Sequence, residues 1–253
     1  MGRVIKIVNY GEVPFKHIAE NAVCLYLSEQ NSPALTSDIR AMSDFVRASA
    51  GHKLTGLLDV IPANQNITFI YDINEVGYKA FVACLAELLG EWQSASDEAT
   101  SRINGRAVVE LPVFYGGQWA LDITDIAKQL QCTVADIISW HGQSEFYVSA
   151  VGFAPGFAYL EGLHKALHLP RKATPRKHIV AGSVAIAGAQ SAVYPCDSPA
   201  GWHVLGHCPI PMFSLAAAER GDFPNKLALG DAVRFVAISA DEHALLLQQQ
   251  NSN

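Results

Sequence analysis

The sequence predicts an α+β protein in two domains: a small α/β domain over residues 1–92, a linker over 93–105, and over 106–253 an antiparallel sheet that is closed or strongly bent. Three observations carry this. Over the first ninety or so residues the apolar positions switch between a period of two and a period near 3.6, in a ββαββα-like order. Residues 93–105, QSASDEATSRING, are small and polar and offer too little apolar surface to join a core. Beyond residue 145, short strand candidates recur with turn residues between them.

In chain order, residues 3–9 alternate Val, Ile and Lys as a short strand does, and residues 21–27, with Val23, Leu25 and Leu27 on one side, suit a second. From 32 to 50 the period changes. Ser32 is placed to cap, Pro33 fits a first helical turn, and Leu35, Ile39, Met42 and Val46 follow at helical spacing as far as Gly51. Residues 54–61 and 67–71 read as strands joined by a turn that holds Pro62, Asn64, Gln65 and Asn66. Helical spacing resumes over 75–89 through Val76, Phe81, Leu85 and Leu88, with Gly90 placed to stop it. Past the linker, AVVELPVFY reads as a strand. Two short helices follow, one capped by Asp122 and one capped by Thr133 and ending at His141 and Gly142. Strand candidates at 145–153, 183–187, 192–194, 203–205 and 231–238 complete the second domain, and 241–253 forms a short helical tail.

Bulk properties narrow the function classes. A net charge of −6, from 18 basic and 24 acidic residues, argues against a general nucleic-acid coat and leaves room only for local basic clusters. No apolar run approaches the length of a membrane span, and the N-terminus lacks a signal-peptide pattern, so the expectation is a soluble cytoplasmic protein with no nucleic-acid or membrane partner. The five cysteines, Cys24, Cys84, Cys132, Cys196 and Cys208, form no CxxC pair. Most are expected to be buried small hydrophobes rather than disulfides or metal ligands.

Chemistry-bearing residues concentrate in residues 152–208, where glycines, prolines, aromatics and basic residues interleave. Rigid loops with open backbone suit a binding site. Arg171, Lys172, Arg176, Lys177 and His178 lie around Pro170 and Pro175. An arginine fork aimed by proline suits a carboxylate or phosphate; the alternative is a solvated basic loop. In AGSVAIAGAQ, small residues around Ser183 and Gly188 expose backbone N–H groups, and Gln190 offers a donor and an acceptor; the alternative is a tight sheet corner. This run is neither a Walker A loop nor a GxGxxG fingerprint, so no nucleotide motif is present. His203 and His207 lie in a Gly- and Pro-rich run that disfavours a helical metal pair, and no metal is expected. His141 reads either as a helix cap or as a general acid/base. Phe153 and Phe157 are assigned to the core, and Tyr159, Tyr194 and Trp202 to a pocket or its rim, with Glu110 and Tyr115 as further candidates for the same site. No serine or cysteine stands in a nucleophile context.

The runs GFAPGFAYL, PRKATPR, AGSVAIAGAQSAVYP and SPAGWHVLGH, with NQNITFIYD and ELPVFYGG upstream, resemble the family that unites the B-type subunit of 5-oxoprolinase (PxpB), kinase A inhibitor KipI and allophanate hydrolase subunit 1. The resemblance implies a cyclophilin-like β-barrel for the second domain. It also implies one part of an ATP-dependent 5-oxoprolinase, working with an A-type partner of the LamB/YcsF kind and a C-type partner related to allophanate hydrolase subunit 2. ATP would enter as a co-substrate of the complex, with no prosthetic group. Matching positions favour Arg171, Arg176, His141 and His207. Together with the residue types above, the expected site has His141, Arg171 and Arg176 as catalytic residues and Gln190, Tyr194, Tyr159, Trp202, Ser183 and His207 as substrate-binding ones. A KipI-like inhibitor of a histidine kinase and an allophanate-type enzyme subunit are the alternatives. One position departs from the family: Ala200 stands in SPAGW where SPGGW is typical, and a left-handed backbone there would cost about 1 kcal/mol.

Overall fold

The computed structural model describes residues 4–7, 10–92 and 108–251, so the expected linker at 93–105 lies outside the described residues. The chain divides into two compact units, Met1–Gly105 and Arg106–Asn253.

The first unit holds β1 (Val4–Ile7), β2 (Gly11–Ala19), β3 (Ala22–Tyr26), α1 (Pro33–Ala48), β4 (Leu57–Ala63), β5 (Asn66–Tyr71) and α2 (Tyr78–Glu91). Its strands run β1-β2-β3-β5-β4, antiparallel at every pairing. Ser32 caps α1 by accepting from Leu35 N–H at 3.1 Å, and Leu35, Ile39, Met42 and Val46 are buried as their spacing predicts. Three expectations are corrected. Strand β2 is an addition that the sequence hides, because Pro14 interrupts a run in which only Val13 and Phe15 are buried. Pro62 lies in β4, opposite Ile67, leaving Asn64 and Gln65 as the turn. Helix α2 passes through Gly90 to Glu91, held inward by Phe81, Leu85, Leu88 and Leu89.

The second unit contains β6 (Val109–Val113), α3 (Ile123–Leu130), α4 (Val134–Gly142), β7 (Phe146–Val151), β8 (Ala158–Glu161), β9 (Arg176–Ile179), β10 (Ser183–Ala187), β11 (Gln190–Val193), β12 (Ser198–Ala200), β13 (His203–His207), α5 (Leu215–Glu219), β14 (Ala232–Ala237) and α6 (Ala240–Asn251). Pairing runs β6-β14-β7-β8-β11-β10-β13, parallel only between β6 and β14. The ring closes just past β6, where Phe114 and His207 exchange backbone hydrogen bonds of 2.9 and 3.0 Å. Closure needs Gly206, since a Cβ there would lie 2.6 Å from the Phe114 carbonyl oxygen. The result is the β-barrel half of the α+β architecture.

Strand β10 shows how the barrel wall is used. Its even residues, Val184 and Ile186, point into the barrel core with Leu111, Val148, Leu160 and Phe235. Its odd residues, Ala185 and Ala187, point outward into a second cluster with Phe157, Tyr194, Trp202 and Val204. The short ribbon of β9 and β12 contributes Ile179 and Ala200 to that outer cluster, so β10 is buried on both faces. Ala200 sits in β12 without a left-handed backbone, so the strain that such a backbone would bring at the SPAGW departure does not arise.

Candidate functional site

The outer cluster frames a cleft of about 330 Å³ lined by Glu161, Pro170, Arg171, Ala187, Gly188, Ala189, Gln190 and Trp202. Its floor is the β10–β11 hairpin, where Gly188 takes a φ of +58° in a two-residue turn. Its side is the segment 169–175, laced to the barrel at three points. Gly188 N–H donates to the Leu169 carbonyl at 2.6 Å, His203 Nε2–H to the Pro170 carbonyl at 2.9 Å, and Lys172 N–H to the Gly201 carbonyl at 2.8 Å. On this fixed segment Arg171 is exposed, and its guanidinium enters no hydrogen bond or ion pair among the described residues.

Aromatic rings continue from Trp202. Tyr159 lies 6.2 Å from it and Phe157 6.1 Å, and Phe157 meets Tyr194 edge-on at 5.2 Å. Burial pushes the Tyr194 phenol up to about 12, against the pull of the positive charge on Arg171. Arg171, Gln190 and Trp202 thus line one cleft, while Tyr159 and Tyr194 belong to the ring cluster next to Trp202 and do not line it. Phe153 differs from its expected core position. It is 67% exposed, with a φ of +75°, at the tip of the turn that joins β7 to β8, 5.2 Å from Phe157.

Arg176 is placed elsewhere. Its Nη1 and Nη2 donate to the two carboxylate oxygens of buried Asp122, each at 2.7 Å, and Lys172 Nζ and Val204 N–H add two more bonds of 2.7 Å. Burial alone would raise the Asp122 pKa, but the bonds from Arg176, Lys172 and Val204 outweigh it and hold the carboxyl below its ordinary value. Two expectations change. Asp122 does not cap α3 with its side chain, and Arg176, in strand β9, ties the ribbon to the barrel rather than facing a ligand. Thr133, by contrast, caps α4 in a reciprocal box with Asp136.

The histidines are placed inside the fold as well. His141 is fully buried, stacked 4.5 Å from Phe235. Ser191 Oγ–H donates to the Ala185 carbonyl, so it accepts from His141 Nε2–H at 2.9 Å, and Tyr115 O–H donates to His141 Nδ1 at 2.7 Å. Burial holds the His141 pKa down to about 3, so the ring is a neutral core group and not an acid/base at the cleft. His207 Nε2–H donates to the Ala181 carbonyl at 2.9 Å, and its Nδ1 accepts from His243 Nε2–H at 2.8 Å. Burial lowers the His207 pKa to about 4, and it lies under Trp119, centroids 4.2 Å apart, rather than at the cleft. Ser183 is buried and donates to the Val180 carbonyl at 2.7 Å. Tyr115 faces His141, whereas Glu110 sits at the surface 3.7 Å from Arg234. Of the cysteines only Cys24 and Cys208 are buried, and Cys84 and Cys196 are exposed.

Three side-chain pairings escape the sequence: Glu161 with Gln190 in the cleft, Asp122 with Arg176, and His243 with His207. Only Glu161 has a local signal, the alternation of FAYLE. Among the described residues no three His, Cys, Asp or Glu side chains converge as metal ligands, and no helix is long and apolar enough to cross a membrane.

Residues 13–221 match the family described as carboxyltransferase domain, subdomain C and D. The B-type subunit of 5-oxoprolinase from Bacillus subtilis is 31% identical over 93% of this chain and 97% of its own. The Haemophilus influenzae protein of the same name is 36% identical over 87% of this chain and 95% of its own. The solved structure of TTHA0988 superposes with a TM-score of 0.71 at 29% identity, over 87% of this chain and 40% of that longer one. Urea carboxylase of Kluyveromyces lactis shares the fold, with a TM-score of 0.74 at 16% identity over 98% of this chain and 24% of its own.

Proposed function

The chain belongs to the family of 5-oxoprolinase B-type subunits, and from that premise we propose that it is the part of an ATP-dependent 5-oxoprolinase that binds the substrate carboxylate at Arg171. The complex, with its A-type and C-type partners in the cytoplasm, opens the lactam of 5-oxo-L-proline to L-glutamate as ATP is converted to ADP and phosphate. A lactam is a stabilised amide, so coupling to ATP makes its opening favourable. This chain carries no nucleotide motif, so the nucleotide is handled at least partly by a partner.

The observation that carries the reading is the Arg171 guanidinium, unpaired among the described residues, on a laced segment beside Trp202 and Gln190. A guanidinium carried on a backbone segment that is already fixed leaves only its side chain to be ordered on binding a carboxylate, and the same fork suits an acyl phosphate. Trp202 and the glycine-bearing hairpin give a small ring an apolar wall and an open backbone.

Reconstitution tests it. The purified chain is mixed with the A-type and C-type partners, 5-oxoproline and ATP, and glutamate and phosphate are followed against a mixture without this chain. Release that depends on this chain is expected. An assembled complex that releases nothing from 5-oxoproline overturns the substrate, and allophanate is then the compound to assay. A chain that assembles with neither partner overturns the enzyme-subunit reading altogether.

A further inference from the structure

The cleft holds an acidic residue that the reading above does not use. Glu161 ends β8 and Gln190 begins β11, and the two stand directly opposite in the antiparallel register, as do Leu160 and Ser191. Leu160 points into the barrel core and Ser191 towards His141, so alternation sends Glu161 and Gln190 to the other face, into the cleft beside Arg171. There Gln190 Nε2–H donates to Glu161 Oε1 at 2.8 Å.

A primary amide turned by 180° looks almost the same in shape but exchanges its donor for its acceptor. A carboxylate accepts and does not donate, so Glu161 selects the orientation in which the Gln190 nitrogen faces it. The Gln190 carbonyl oxygen is then directed away from Glu161. We infer that Glu161 is a positioning residue that fixes the Gln190 amide so that its Oε1 accepts a ring N–H, while Arg171 takes a carboxylate on the neighbouring ring carbon. The ligand class is a small cyclic amide whose N–H and carboxylate lie on adjacent atoms. This rests on the function proposed above and adds the basis of selectivity. A lactone acid of the same shape presents a ring oxygen where the lactam presents N–H, and sets acceptor against acceptor at Gln190. A site built to hydrogen-bond an N–H rejects an analogue that lacks it.

The test uses the reconstituted complex and two ligands, 5-oxoproline as substrate and 5-oxotetrahydrofuran-2-carboxylate, the corresponding lactone acid, as inhibitor. For the unaltered chain, the inhibition constant of the lactone acid is expected to exceed the KM for 5-oxoproline by about tenfold or more. In Glu161→Gln the new amide both donates and accepts, so Gln190 is free to turn. The ratio is then expected to fall severalfold, through a higher KM and tighter lactone binding, with kcat changed less. Gln190→Met, which removes the acceptor, is expected to lose the discrimination as well. A purely structural Glu161 would alter the melting temperature and leave the ratio alone. Turnover of 5-oxoproline with an unchanged ratio in both variants overturns this inference and leaves the proposed function standing. No turnover that depends on this chain overturns both.

Discussion

Arg171 and Arg176 flank one proline-bounded segment, and in the sequence they are near-equivalent. In the structure they are opposites. Arg176 forms two 2.7 Å bonds to a buried carboxylate and holds the ribbon to the barrel. Arg171, five residues earlier, has nothing bound to its guanidinium among the described residues, although the segment under it is fixed by backbone hydrogen bonds. The difference lies in what stands opposite. β9 passes over the start of α3, where Asp122 is buried and needs cations, whereas the cleft leaves Arg171 open. Two arginines in one motif thus divide into a structural tie and a cleft-lining group.

Substitutions at the tie give the largest expected effect. Arg176→Ala leaves Asp122 buried with only Lys172 as a cation and is expected to destabilise the chain by about 3 kcal/mol, seen as a large fall in melting temperature. An unchanged melting temperature with lost activity would erase the distinction between the two arginines.

Acid sharpens the contrast between core and cleft. His141 has its pKa lowered by burial to about 3, so between its unfolded value near 6.5 and that value the unfolded chain binds the extra proton. The stability that the neutral ring contributes is complete above about pH 6.5 and is lost as pH falls, by up to about 1.4 kcal/mol per pH unit. His207, lowered to about 4, acts in the same direction over a narrower window. Denaturant melts from pH 7 to pH 4 should show this slope, and His141→Leu should flatten part of it. A stability that holds level across that range would contradict the neutral, buried histidine.

The smallest effect tests the ribbon. Ala200 is buried in β12 without a left-handed backbone, so Ala200→Gly should cost about 0.5–1 kcal/mol in a denaturant melt. A gain in stability would mean that the loop strains against Ala200 after all.

How far the sequence is legible follows from the range of each interaction. Helix α1 announces itself through Ser32, Pro33 and an apolar stripe, all within one segment. Strand β10 is readable as an apolar run, though not that its two faces serve two clusters. Strands β9 and β12 escape notice because they are four and three residues long and rich in charge or proline, and only their pairing and Ile179 reveal them. The site is half legible. Arg171, Gln190 and Trp202 stand out by residue type among glycines and prolines. The partner that occupies Arg176 lies 54 positions away, and the residue opposite Gln190 lies 29 away. Nothing local in the chain encodes those separations.

If Arg171 holds the substrate, Arg171→Ala will show it in kcat/KM for 5-oxoproline in the reconstituted complex, with the melting temperature of the variant measured beside it. Loss of a charge-assisted bond to the carboxylate is expected to lower kcat/KM by about 100-fold, while stability stays within about 0.5 kcal/mol of the parent. An undiminished kcat/KM in the folded variant would contradict the account and move the substrate away from this cleft.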